Sequence, residues 1–161
     1  MIIMAVDPGR SGGIAILSGN SLKAYPTPDT DEKIIELISG MCSNLKPDFC
    51  VIEKVGGYVG EKQPGSAMFN FGDINGFVRG VIKTHGIPVE LVTPQNWQKT
   101  LLIPPRKKGA SKETKTQWKN RLIAKAQSLY PAAFTGLNKG QSAAIADAVL
   151  MIEYGRRLRN F

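Results

Sequence analysis

The first thirteen residues, MIIMAVDPGRSGG, constrain this chain most. An apolar, β-type run, Ile2-Ile3-Met4-Ala5-Val6, ends on a carboxylate, Asp7. Pro8-Gly9 follows at once, then Gly12-Gly13 and a second apolar run, Ile14-Ala15-Ile16-Leu17. The pattern is strand, tight turn, strand. Asp7 therefore stands at the end of a buried strand, where the backbone is most open. One reading makes it an Asx-type turn residue that caps backbone N–H groups before Pro-Gly. The other makes it a metal ligand at the tip of a central strand. The choice turns on whether other carboxylates reach the same end of the same sheet.

The remaining pattern supplies candidates. Ser21 to Pro26 reads as a third strand, closing an antiparallel meander with the first two. Thr30 or Asp31 can cap a helix whose stripe is Ile34, Ile35, Leu37, Ile38 and Met41, broken by Lys46-Pro47-Asp48. Phe49 to Ile52 is a short apolar strand, expected to be buried and parallel to the first, and it too ends on a carboxylate, Glu53. A Gly-rich loop from Gly56 to Gly65, holding Tyr58, precedes a helix from Ser66 to about His85. Gly72, Gly76 and Gly80 recur on that helix, which predicts close packing against another element at a cost in helix propensity. Val89 to Val92 is a strand, and Thr93-Pro94 opens a short helix with Trp97 and Leu101. A basic helix ends before Pro131, and a last helix runs from about Gln141 to Leu158.

At 161 residues the chain suits one domain with a substantial core. It has no apolar run long enough to span a bilayer and no signal-peptide pattern, so a soluble, intracellular protein without a membrane partner is expected. Cys42 and Cys50 lack neighbours at metal spacing and read as reduced core residues; the lone histidine, His85, cannot build a zinc site and reads as a helix-end residue. The net charge of +8 predicts attraction to a polyanion, and nucleic acid is the usual one. Charge alone also fits a merely soluble basic protein.

Asp7 and Glu53 end two strands expected to be adjacent and parallel, and in open α/β sheets the functional crevice lies beyond the carboxyl ends of the strands. A third carboxylate, Asp147, interrupts the apolar helix Ala143-Ala144-Ile145-Ala146-Asp147-Ala148-Val149-Leu150-Met151. A buried charge needs a partner. A salt bridge to Lys or Arg is one solution, and a divalent cation shared with Asp7 and Glu53 is the other. Oxygen-only ligands favour Mg²⁺, with Mn²⁺ as a substitute, over zinc. Three such acids beside a basic surface point to phosphodiester hydrolysis with two metal ions about 4 Å apart. No Ser-His or Cys-His pair offers a rival chemistry, and without a Walker-type loop no nucleotide cofactor is expected.

The chain resembles the RuvC-like Holliday junction resolvases, in particular the short phage-type members. The resemblance covers most of the chain and rests on Ala5-Val6-Asp7-Pro8-Gly9, Ile52-Glu53-Lys54-Val55, Phe69-Asn70-Phe71-Gly72, Val92-Thr93-Pro94-Gln95-Asn96-Trp97 and Ala146-Asp147-Ala148-Val149-Leu150. It implies an α/β, RNase H-like fold, a central mixed β-sheet flanked by helices, in a single nuclease domain. It implies a homodimer that resolves four-way (Holliday) junctions, and other branched DNA, by paired Mg²⁺-dependent nicks in the cytoplasm of a bacterial or phage-infected host cell. Asp7, Glu53 and Asp147 match the family's metal-binding acids. One departure stands out: the family usually carries a fourth acid one helical turn before the last, at about Ala143 or Ala144, which share a face with Asp147. Three acids suffice, or Asp73 substitutes, or the chain carries an inactivating replacement, and the last is the favoured reading. The rivals are a non-catalytic branched-DNA-binding protein of the same fold and a less selective RNase H-like nuclease on flaps or hybrids.

For binding, Arg106, Lys107, Lys108, Lys112, Lys115 and Lys119 are expected to hold phosphates, although a solvated helix face explains Lys119 as well. Tyr58, Phe69 and Phe71 are candidates to stack on an unpaired base, against the alternative that one of the two phenylalanines is core. By analogy with the family, the glycine-spaced helix 66–85 is the expected dimer contact.

Overall fold

A computed structural model of the chain describes residues 1–54, 65–107, 109 and 112–160, without the side chains of 67 and 68. Five strands form one sheet: β1 (Ile2–Val6), β2 (Gly13–Ser18), β3 (Ser21–Pro26), β4 (Phe49–Glu53) and β5 (Val89–Val92), in the order β3-β2-β1-β4-β5. The first three make the expected antiparallel meander, and β4 runs parallel to both β1 and β5. The sheet is mixed, with β1 at its centre. Five helices flank it: α1 (Asp31–Leu45), α2 (Gly65–Thr84), α3 (Pro94–Thr100), α4 (Lys115–Leu129) and α5 (Lys139–Leu158).

The pleat sorts the sheet's side chains by parity. Met4, Val6, Ile14, Ile16, Cys50 and Ile52 face α1 and α2, where Ile34, Ile38, Ile74, Val78 and Ile82 complete one core. Ile3, Ala5, Ala15, Leu17, Phe49 and Val51 face the other way, onto α5, α3 and α4. The α5 segment from Ile145 to Ile152 is buried nearly all round, except at Asp147, because it lies between the sheet and α4. Burial on both sides explains why its sequence is apolar without a stripe.

Local signals set the helix ends. Thr30 caps α1 by accepting from the Lys33 N–H, and Lys46 ends it in the left-handed conformation. Thr114 and Asn138 each form a capping box with the glutamine three residues on, Gln117 and Gln141. The second box starts α5 at Lys139, two residues before the sequence-based boundary. Both cysteines are buried and free, and His85 ends its helix with Nε2 3.0 Å from Ser39 Oγ.

The glycine spacing on α2 was expected to mark close packing, and here the structure differs. Among the described residues, a Cβ at Gly72, Gly76 or Gly80 would meet nothing within 4 Å, so none of the three packs closely against another described element. Helix α2 is anchored instead by Ile74, Val78 and Ile82, on its other side. Among the described residues, no helix is long and apolar enough to cross a membrane.

Candidate active site

The register of β1 against β4 aligns Val6 with Ile52, so the next residues, Asp7 and Glu53, lie at the same, carboxyl end of adjacent parallel strands. By parity both fall on the α5 face, with Ile3, Ala5, Phe49 and Val51. Asp147 stands on α5, which packs on that face. The three acids, remote in sequence, thus occupy one end and one face of the sheet.

The turn after Asp7 is fixed by its backbone. The Asp7 N–H donates to the Gly13 carbonyl at 3.0 Å, and the Gly12 N–H donates to that of Gly9 at 2.9 Å. A Cβ on Gly12 would collide with the Asp7 carbonyl oxygen, so only glycine permits this turn. The Gly9 N–H also donates to the Asp7 carboxylate, so the Asx-type reading holds in part.

One hydrogen bond does not neutralise the site. Burial, then repulsion from Asp147, push the Asp7 carboxyl up to about 6, against the pull of Lys119 and the Gly9 N–H. Glu53 is pushed up to about 7 by burial and by the charge of Asp7, although the Trp97 indole donates to it. Asp147 adds to the repulsion on Glu53, and Lys119 relieves part of it. Repulsion among all three shows that they share one electrostatic site.

Three neighbours hold the acids, and a fourth packs beside the turn. Trp97 Nε1 donates to Glu53 Oε2 at 3.0 Å, and Asn75 Nδ2 donates to the Glu53 carbonyl at 3.2 Å. The sequence placed Trp97 on a short helix with no partner assigned to it, and gave no sign of Asn75. The signal for Trp97 was its indole N–H, which needs a partner when the ring is buried. Lys119 Nζ donates to Asp147 Oδ2 at 2.8 Å, which is the salt-bridge solution for that acid. Lys119 was expected on phosphates; in this structure it is turned inward to Asp147. Phe71, packed against the α1–α2 core, brings its ring edge to 3.6 Å from where a Gly9 Cβ would stand. Phe71 is thus a packing residue, whereas Phe69 is 72% exposed.

Ala143 and Ala144 are half-buried one turn before Asp147. The Ala144 carbonyl oxygen would stand 2.8 Å from a Cβ on Gly13, which places this turn of α5 against the start of β2. Asp73 is exposed on α2 and is not among the charges acting on Asp7 or Glu53.

The donors fit a hard divalent cation in kind: three carboxylates, with Asp147 Oδ1 buried and without a hydrogen-bond partner. They do not form a preassembled cage, because among the described residues no three acidic, His or Cys side chains are grouped closely enough to hold an ion. Lys119 occupies one Asp147 oxygen instead.

The basic segment borders the same helices. Lys107, Lys112 and Lys115 are exposed and Arg106 is half-buried. Arg121 ties the segment to α4: it pairs with Glu113 at 2.9 Å, donates to the Pro104 carbonyl at 3.0 Å and stacks on Trp118 at 4.4 Å. Tyr58 and Lys108 lie outside the described residues.

No family model and no curated protein matches the chain. Solved structures do. The structure of Thermus thermophilus RuvC superposes with a TM-score of 0.60 at 16% identity, covering 98% of this chain and 96% of that one. T. thermophilus RuvC in complex with a Holliday junction substrate gives 0.63 at 14% identity, with the same coverage of both chains. The chain has the RNase H-like fold of these proteins, over essentially its whole length.

Proposed function

We propose that this chain is a divalent-metal-dependent, structure-selective DNA endonuclease that binds four-way junctions as a homodimer. One observation carries the reading: Asp7, Glu53 and Asp147 converge at the carboxyl end of the central parallel strands and repel one another there. A fold that only needed stability would not gather three acids in a partly dry site, because each costs free energy until a cation arrives. The fold shared with a junction-bound RuvC and the net charge of +8 support DNA as the substrate class.

In this reading Asp7, Glu53 and Asp147 would hold Mg²⁺ or Mn²⁺, two ions per site by the chemistry of phosphodiester hydrolysis. Bound there, the metal supplies Lewis-acid activation of water and charge stabilisation at the leaving oxygen. The chain's own groups do the rest. Trp97 holds Glu53 in one orientation, and Asn75 fixes the backbone that carries it. Arg106, Lys107, Lys108, Lys112 and Lys115 hold backbone phosphates and give affinity without sequence information. Phe69, free of the core, stacks on an unpaired base near the branch point. The open glycine side of α2 is where a second copy packs.

Ala143 and Ala144 favour a second reading, in which the chain binds junctions and cleaves them poorly because the fourth acid has been replaced. Nicking of a labelled four-way junction and of linear duplex in Mg²⁺ separates the two, using wild type, Asp7→Asn, Ala143→Asp and Ala144→Asp. The expected result is junction binding throughout, nicking that needs Asp7, and a gain with aspartate at 143 or 144. No gain at either position refutes the replacement. Equal binding of duplex and junction refutes structure selectivity.

A further inference from the structure

Lys119 enters the site from α4 and acts on all three acids. It donates to Asp147 Oδ2 at 2.8 Å, and its charge draws both Asp7 and Glu53 back toward the ionised form. Its position is built. The Thr114–Gln117 capping box fixes the start of α4, and the Trp118–Arg121–Glu113 stack ties that turn to the 104–105 backbone. The Lys119 side chain is 35% exposed while Asp147 is 16% exposed, so the ammonium sits at the mouth and the carboxylate inside. A lysine has a flexible four-carbon stem and a strongly hydrated head, so it can leave for water or for a phosphate at low cost. An arginine fork would be harder to displace.

We propose that Lys119 is a tethered counter-cation: its ammonium balances the acid cluster in the metal-free protein and competes with the divalent ion for Asp147. The proposal rests on the reading of the three acids as a metal site. Two observations set it apart from an ordinary surface ion pair, which contributes little. Asp147 is largely buried, and its second oxygen has no hydrogen-bond partner, so the carboxylate keeps one oxygen unengaged while Lys119 holds the other. The same helix carries Lys115, and Lys112 lies just before it, so a DNA strand on this basic face brings phosphates to the mouth where Lys119 sits. Competition of this kind keeps the free protein folded without metal and raises its affinity for the ion once a phosphate takes the lysine.

The test is calorimetric titration of Mn²⁺ into the DNA-free full chain, with thermal melts in EDTA alongside. The proteins are wild type, Lys119→Met, Lys119→Arg and Asp7→Asn. Lys119→Met should bind Mn²⁺ about tenfold more tightly, the size of a typical coupling between two sites. It should melt lower than wild type in EDTA and recover when Mn²⁺ is added, while Lys119→Arg keeps the wild-type melting temperature in EDTA and binds Mn²⁺ more weakly than wild type. If Lys119→Met matches wild type in affinity while Asp7→Asn binds more weakly, the counter-cation role is overturned and the metal site stands. If Asp7→Asn leaves Mn²⁺ binding unchanged, the metal site itself falls, and this inference with it. Lys119→Gln carries the same comparison if the methionine variant does not fold.

Discussion

Replacing Glu53 with glutamine should stabilise the metal-free protein, and only at high pH. Glu53 is held at about 7 in the fold, against 4.5 in the unfolded chain, first by burial and then by Asp7. A carboxyl raised in this way favours the fold while it is protonated, and that advantage is lost as pH climbs from 4.5 through 7. At 1.36 kcal/mol for each tenfold in acidity, the displacement corresponds to about 3 kcal/mol at pH 8. Glutamine keeps the shape and still offers an oxygen to the Trp97 indole, so the hydrogen bond survives the change. For a chain of this length, about 3 kcal/mol is about 6–12 °C in melting temperature. The assay is a series of thermal melts in EDTA from pH 5 to pH 8, on wild type and Glu53→Gln. The two should nearly coincide at pH 5 and separate steadily above it, the variant melting higher. Saturating Mn²⁺ should reverse the order, because the variant loses a ligand. A gap that does not change with pH, or a variant less stable at pH 8, would refute the claim that Glu53 is held in a dry, crowded site.

Other perturbations probe the rest of the molecule. Neutralising Lys107 and Lys108 together should lower the slope of log K against log salt by about 2, since each phosphate contact contributes about 0.9; a titration of fluorescent junction at several salt concentrations measures it, and an unchanged slope removes both from the interface. Phe69→Ala should weaken junction binding by about 1–3 kcal/mol, the worth of one stacked base, while leaving the melting temperature alone, because the ring is exposed. Glu153→Gln tests the buried pair far from the acids: this 3%-exposed side chain takes 2.8 Å bonds from Arg156 and Arg157, and Tyr130 donates to it at 2.9 Å. Burial pushes Glu153 up, but these three donors outweigh it and hold the carboxyl down at about 2. Its contribution is therefore present above 4.5 and lost as pH falls toward 2, so the variant should cost about 2 kcal/mol at neutral pH and converge with wild type in acid.

The site divides into parts that local pattern reveals and parts that only tertiary placement creates. Asp7 and Glu53 were legible because a strand that ends on a carboxylate before a glycine turn leaves a mark within ten residues. Asp147 was legible because an acid inside an apolar helix contradicts its surroundings. The antiparallel meander and the parallel pairing of β4 with β1 followed from the same runs, because a short hairpin connection gives an antiparallel pair and a crossover through a helix gives a parallel one; the place of β5 came from the structure. The Trp97–Glu53 bond joins residues 44 apart, and nothing near Trp97 tells its indole apart from that of any buried tryptophan. Lys119 looked like one more cation in a basic run, and its turn inward depends on how α4 lies on α5. The α2 glycines show the same dependence on tertiary placement. Their spacing marks a bare helix face, but only the packing of Ile74, Val78 and Ile82 shows that this face points away from the sheet.

If Asp7, Glu53 and Asp147 form a metal site, the ion itself can be located there. A crystal of the DNA-free protein soaked in Mn²⁺, with data collected above the manganese absorption edge, yields an anomalous map that shows each bound ion. Manganese peaks are expected within ligand distance of Asp7, Glu53 and Asp147, with the Lys119 ammonium withdrawn from Asp147. A map without a peak there at saturating Mn²⁺, with Lys119 still on Asp147, would contradict it.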